Sequence, residues 1–329
     1  MKNTISALAL MSSAFLLSGC GSSSSSDSGV AVSIPFKAMA GSQAIRCGET
    51  ITGLGTAGTD VKIANFRMFV HDIKLMTDQN IEIPVKLDAT QESQNAEVAL
   101  LDFRDTADIG EVLTEICPQD TTGDTVANPS YNDVITGSAT IDSAYTISAI
   151  QFTLGVPFNL NHKDQAAAIE PLRQPGLASG MTWDWQGGYK FVGFDVLPIG
   201  GITRPLDNEW SSPKWNIHIG STGCSVTKTE LESGTQPESC LAPNLVEVTL
   251  PIGAYNLDEI AIQIDYAQLV SGNNLSIDEG VKAGCMSFVT DPECAGVFEK
   301  LGLPWEENEA TEQSIFSIVD ISENINEPI

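Results

Sequence analysis

The chain has 329 residues, 43 of them acidic and 16 basic, for a formal net charge of −27. Charge of this sign excludes nucleic acid as a partner, because neutralising phosphates needs Lys and Arg gathered on one face. With 42% hydrophobic and 18% charged residues, the composition is that of a folded globular chain able to bury a core, as one large domain or two modest ones.

Lys2 and the apolar run from Ile5 to Leu17 read as a secretory signal, too short for a permanent bilayer-spanning helix. The run ends in Leu17-Ser18-Gly19-Cys20, which resembles a bacterial lipobox. That resemblance implies cleavage after residue 19 and lipidation of Cys20. A conventional signal cut near Ser18 or Gly19 is the alternative. Residues 20–29 then form a lipidated cysteine and a flexible Ser-rich tether with nothing to bury. With Gly21 after the cysteine, the expected location is that of an outer-membrane lipoprotein facing the periplasm or the cell surface, held to the membrane by its lipid anchor.

Period-two alternation and short β-rich runs then predict strands over Val30 to Ala38, Val61 to Leu75, Tyr145 to Val156, Tyr189 to Leu197, Trp215 to Ile219, Leu245 to Ile252 and Glu259 to Leu269. Helical periodicity is confined to Gln165 to Leu172 and to Val297 to Leu301. Seven such strands with long irregular connections predict an all-β fold, an antiparallel β-sandwich with long loops over residues 30–303. Residues 304–329, with Glu306, Glu307, Glu309, Glu312, Asp320, Glu323 and Glu327, read as a loosely packed acidic C-terminal tail.

Setting Cys20 aside leaves Cys47, Cys117, Cys224, Cys240, Cys285 and Cys294, an even number in an exported chain, so disulfides are expected to staple the fold. Six cysteines allow 15 connectivities. Proximity favours Cys285 with Cys294 and Cys224 with Cys240, which leaves Cys47 with Cys117. Thiol coordination of a metal is the competing idea, although no CxxC pair is present.

His71, His162 and His218 are the only histidines. An extended backbone puts His71 on the side of Phe69 and Ile73, and puts His218 opposite Trp215, Ile217 and Ile219. His162 follows a strand that runs into a turn. Each can be a hydrogen-bonded structural side chain. Together they are also the only imidazoles available to Cu, Zn, Fe or Ni. Trp183 and Trp185 lie two apart in the densest aromatic stretch, where core packing competes with an aromatic wall or an oxidisable indole. No GxSxG elbow, P-loop or HExxH occurs, and the chain is not expected to be an enzyme.

Four separated segments carry a resemblance. They are Gly155-Val156-Pro157 through Asn161-His162; Met181-x-Trp183-x-Trp185-x-x-Gly188-Tyr189-x-Phe191; His218-Ile219-Gly220-Ser221-Thr222-Gly223-Cys224; and Gly284-Cys285-Met286-Ser287 with Asp291-Pro292-Glu293-Cys294. In this order they resemble the MbnP-like copper-binding proteins, the four-Cys members of the metallo-mystery pair, over about Phe36 to Leu303. The resemblance implies that Cys224, Cys240, Cys285 and Cys294 are the four cysteines. It also implies copper, as Cu(I), held by histidines together with a kynurenine. A partner di-haem protein of the cytochrome c peroxidase type makes that kynurenine from tryptophan, and the chain acts in copper acquisition or storage. His162 and His218 lie in the shared segments and His71 in a matching strand. Trp183, Trp185 and Trp215 are the kynurenine candidates.

Two other readings come from different classes. One is a surface adhesion or ligand-binding sandwich without metal, in which Trp183, Trp185 and Tyr189 form a platform for sugar or protein. The other is an acidic calcium-binding coat protein, for which no DxDxDG loop is present.

Overall fold

All seven expected strands form, and two sheets close on one another over them. The structure, a computed structural model, describes residues 29–104, 131–183, 188–226, 230 and 235–322. The signal, the tether, Cys20, Cys117 and Trp185 lie outside the described residues.

One sheet runs in the order Phe316–Asp320, Ile260–Asp265, Val30–Ala40, Val134–Ala139, Lys86–Leu87. The other runs Val246–Pro251, Ile147–Leu154, Thr59–Thr77, Val192–Pro198, Trp215–Ile219, Gly284–Cys285, and Thr50–Leu54, Glu82–Pro84 and Val98–Asp102 also pair with its long Thr59–Thr77 strand. Phe36 of the first sheet meets Phe152 of the second edge to face, and Phe66 stacks on Phe194 at 3.8 Å within the core. The fold is the expected all-β sandwich. Pairing is mostly antiparallel, but Val30–Ala40 with Ile260–Asp265 and Trp215–Ile219 with Gly284–Cys285 run parallel.

Strict alternation survives where the larger sheet has one covered face, as in Val246–Pro251. Trp215–Ile219 and Val98–Asp102 are buried at every position. Their second face is covered by residues 155–183 and 188–191, which pack Val156, Leu172, Ala178, Met181, Tyr189 and Phe191 against Phe69, Val98 and Leu100 as a second apolar cluster. That cover distinguishes the sandwich from a simple two-layer one, and it encloses the functional residues.

Four local features differ from the sequence reading. Gln165 to Leu172 is irregular rather than helical. Gln165 Nε2 donates to the Gly188 carbonyl, Asp164 caps the Ala166 amide, and Pro171 brings no donor for a helical ladder. The Glu259 to Leu269 run is strand only to Asp265, whose Oδ1 accepts the Gln268 amide and starts the short helix Tyr266–Leu269. The acidic segment after residue 303 is not loose throughout: Trp305, Ile315 and Phe316 are buried and Phe316–Asp320 is the edge strand of the smaller sheet. Asp72 adopts φ 50° where the register shifts between His71 and Lys74. This bulge leaves His71 on the side of Phe69 but turns Ile73 into the main core. In the turn between Thr50–Leu54 and Thr59–Thr77, Gly53, Gly55 and Gly58 all have positive φ, and a Cβ on Gly55 would lie 2.3 Å from the Asn273 carbonyl oxygen.

The disulfides Cys224–Cys240 and Cys285–Cys294 form as proximity favoured. Cys47 is buried and disulfide-bonded, and its expected partner Cys117 lies outside the described residues. Among the described residues no helix is long and apolar enough to cross a membrane.

Candidate metal centre

Three neighbouring strands place a row of polar side chains on the covered outer face of the larger sheet. Arg67 lies opposite Gly193, which lies opposite His218; one step along, Asn65 lies opposite Asp195 and Asp195 opposite Asn216. Paired residues of an antiparallel sheet point to the same side, so Asn65, Arg67, Asp195, Asn216 and His218 form one buried polar layer. Trp215, Ile217 and Ile219 point the other way, into the core. The alternation read from sequence is therefore correct, and Trp215, a kynurenine candidate, is fully buried on the face away from His218.

Two glycines make room over this layer. A Cβ on Gly193 would lie 2.5 Å from Met181 Sδ, and a Cβ on Gly220 would lie 2.5 Å from Trp183 Nε1. Met181 and Trp183 thus cover the row from above. The Trp183 ring meets His218 edge to face at 5.7 Å, with Phe288 at 6.3 Å and Lys190 Nζ 5.6 Å from the ring centre. Trp183 is partly buried, and its indole N–H has no hydrogen-bond partner. Arg67 ties the cover down: its Nη1 donates to the carbonyls of Leu177 and Ser179, and its Nε to Asn65 Oδ1.

His218 Nε2 lies 2.7 Å from Asp195 Oδ1. Burial depresses the imidazole to about 4, against the opposing pull of Asp195. Burial pushes Asp195 up, yet His218, Lys214 and Lys190 together hold it below the ordinary carboxylate range. At neutral pH the pair is an anionic carboxylate beside a neutral ring, and the carboxylate favours the tautomer with its proton on Nε2. Nδ1 then carries the lone pair. Ser287 fixes the following turn by accepting the Gly220 amide and donating to the His218 carbonyl.

His162 sits at the other end of that turn. The Tyr189 amide donates to Asn161 Oδ1, which fixes the Asn161 side chain so that its Nδ2 donates to Ser221 Oγ and to His162 Nε2. Nε2 therefore accepts and Nδ1 carries the proton, buried without a partner. The same Nε2 lies 3.6 Å from Cys240 Sγ and 3.8 Å from Cys224 Sγ. These three atoms are the one set of three His, Cys, Asp or Glu ligand atoms that converges among the described residues, but the sulfurs are joined as a disulfide and offer no thiolate. Burial lowers His162 below its ordinary value, as it does His71.

His71 stands apart. Its Nδ1 donates to the Gly155 carbonyl at 2.9 Å, leaving the lone pair on Nε2. It is four residues along its strand from Arg67 and two strands from His218, on the order of 15 Å by sheet geometry. The structure thus joins Trp183 with His218 and links them through Gly220, Ser221 and Asn161 to His162, while His71 lies well along the sheet from His218. Asn161, Asp195 and Met181 were not singled out as a set by sequence. Asp195 could have been, as an acid in an otherwise apolar strand.

The donor set fits copper. All three rings are neutral at neutral pH, His71 and His218 each have one nitrogen fixed by an oxygen acceptor, and a thioether lies over Gly193 beside His218. Tyr189 is buried with its hydroxyl donating to the Leu172 carbonyl, so it cannot serve in an exposed aromatic platform.

The MbnP family model matches residues 30–287. The solved structure of MbnP from Methylosinus trichosporium superposes with a TM-score of 0.72 at 26% identity, covering 89% of this chain and 99% of that one. No curated protein gives a significant match. The chain belongs to the MbnP family, and with it to a group of copper-associated proteins.

Proposed function

Taking membership of the MbnP family as the premise, we propose that this chain is an exported copper-binding lipoprotein that serves as substrate, not catalyst, for a di-haem partner of the cytochrome c peroxidase type. The observation that carries the reading is Trp183, whose partly buried indole lies edge-on to a neutral, carboxylate-backed His218 with its N–H unpartnered. An intact indole is a poor ligand. Its oxidation removes four electrons and four protons, which pass through the haem partner to reduce two hydrogen peroxide molecules to four waters, while two water oxygens enter as the C2–C3 bond opens. Hydrolysis then releases C2 as formic acid. The kynurenine left at position 183 has an aromatic amine and a ketone beside His218. Together with imidazole nitrogen, those groups suit Cu(I).

His218 and the modified Trp183 would hold the metal, with His162 one turn away. Copper at this place gives the protein a carrier's chemistry, retention and release of one soft cation, in acquisition or storage. The chain's own residues supply the rest. Asp195 orients His218, Arg67 and Gly193 seat the cover carrying Met181 and Trp183, and Ser287 fixes the turn between the two histidines. Trp185 is the competing position for the modification; Trp215 is disfavoured because an oxidant cannot reach it without opening the core.

The test is peptide-level mass spectrometry with copper analysis on protein purified from its native host. The expected result is a peptide containing residue 183 that has lost one carbon and gained one oxygen, with one copper per chain. Unmodified tryptophans together with metal-free protein would overturn the reading.

A further inference from the structure

A second polar cavity lies apart from the histidines, where the turn at Gly272–Asn274 meets the start of the Cys294–Leu301 helix. Its volume is about 200 Å³, and Asn273, Glu279, Glu293 and Gly296 are among the residues that line it. Asn273 and Glu293 are 6% and 5% exposed, and behind Glu293 lie Asp291 and Asp278 at 0% and 1%.

Each of these four side chains keeps one buried oxygen without a hydrogen-bond partner: Asn273 Oδ1, Glu293 Oε2, Asp291 Oδ1 and Asp278 Oδ1. Their other polar atoms are used. Asn273 Nδ2 donates to the Glu293 carbonyl, Glu293 Oε1 accepts the Glu279 amide, Asp291 Oδ2 accepts the Met286 amide, and Arg204 pairs with Asp278 Oδ2. Arg204 therefore answers one of three carboxylates. No described residue forms an ion pair with Asp291 or Glu293, and their free oxygens face each other acceptor to acceptor.

Buried carboxylates in this state need a counter-charge. Without a cation the facing carboxylates must share a proton. Asn273 supplies the independent indication. A neutral amide oxygen gains nothing from such a proton, yet it is buried, unpartnered and set over Gly296, where a Cβ would come within 2.7 Å of it. An unpartnered amide oxygen and an unpartnered carboxylate oxygen, buried on residues that line one polar cavity, are the arrangement of a hard-cation site with oxygen ligands.

We infer that this cavity binds Ca²⁺, with Glu293 Oε2 and Asn273 Oδ1 as protein ligands, Glu279 on the wall, and Asp291 and Asp278 supplying the negative field. The site contains no His or Cys donor and is separate from the proposed copper centre. It is nonetheless joined to it by chain: Asp291 holds the Met286 amide, and the next residue, Ser287, clamps the turn from His218 to Gly220.

The experiment is isothermal titration of CaCl₂ into the full chain after chelator treatment, with Tb³⁺ luminescence and thermal unfolding in parallel. One saturable site is expected, in the roughly 10⁻⁴ to 10⁻³ M range of extracellular calcium modules or tighter, with a rise in Tm that Mg²⁺ does not reproduce. Glu293→Gln should weaken Ca²⁺ at least about 10-fold. It should also unfold no earlier than wild type in chelator, because it removes a buried charge. Asn273→Ala provides a second loss of binding. Absence of a saturable site in folded wild type, or undiminished binding in folded Glu293→Gln, overturns the proposal: the first leaves a proton-sharing pair, the second diffuse binding to an acidic surface. Copper content tests the other centre, so the two can fail separately.

Discussion

Two polar regions are buried on either side of the Met286–Ser287 junction, and they are built from opposite chemistry. The layer around His218 offers nitrogen, a thioether and an aromatic ring, with one carboxylate whose charge is answered by Lys214 at 3.9 Å and by the polarity of His218. The cavity around Glu293 offers oxygen alone and leaves two carboxylates unanswered. Softness and charge therefore sort the two regions before any metal is considered: the first suits copper, the second a hard dication.

The largest expected difference between them is their response to acid. His218 is depressed to about 4 from an unfolded value near 6.5. As pH falls through that window the unfolded chain takes up the proton first, so stability is full above pH 6.5 and is lost on the way to 4, on the order of 3 kcal/mol for this group. Glu293 has the reverse sign. Raised to about 8, it is protonated in the folded state before the unfolded one, so its contribution is present at low pH and is lost as pH rises from the ordinary glutamate range through 8. Denaturant unfolding in chelator across pH 4 to 9 checks both. His218→Gln should flatten the acid limb and Glu293→Gln the alkaline one. Equal slopes in the two variants would break the contrast.

Steric tests separate the regions at smaller cost. Gly220→Ala places a methyl group against the Trp183 indole nitrogen and the Tyr189 carbonyl, at 2.5 and 2.8 Å. Since the Tyr189 backbone cannot move far, a loss of about 1 to 3 kcal/mol is expected by overpacking, with copper retention lowered and Ca²⁺ binding untouched. Gly296→Ala meets only the Asn273 side-chain oxygen under 3.0 Å. Its helix gain of up to about 1 kcal/mol offsets the crowding, so stability should hardly change while Ca²⁺ weakens and copper does not. Thermal unfolding with the two metal assays on each variant decides whether the regions are independent.

How much of this was legible depended on whether a residue's neighbours were local. The faces of Trp215–Ile219 followed from alternation alone, and short spacing indicated both described disulfide pairs. Near residue 72 alternation failed, because one left-handed Asp reverses the face of everything after it. The burial of His218 was also hidden. Its strand reads as half-exposed, and the cover comes from residues 155–183 and 188–191, which are tied down by Arg67, more than a hundred residues away from the carbonyls it holds. The Glu293 cavity drew no notice for the same reason. Asn273 and Glu293 are twenty residues apart, and no calcium-loop spacing links them.

The smallest expected change in stability belongs to the variant with the sharpest functional consequence. Trp183→Phe keeps an aromatic ring over His218, loses only a partly buried edge, and removes an N–H that has no partner to leave stranded. A cost within about 1 kcal/mol is therefore expected. The same variant has no indole to open, so protein made in the native host should carry no modified residue at 183 and retain little copper, while its Ca²⁺ titration matches wild type. Trp215→Phe is the matched comparison. It trims a fully buried core side chain and should cost more stability, yet leave copper in place. If Trp183→Phe retained copper and the mass change appeared at Trp185, the centre would turn on the second tryptophan of the pair. If Trp215→Phe alone lost both, the outer face would not be where this chain meets its metal.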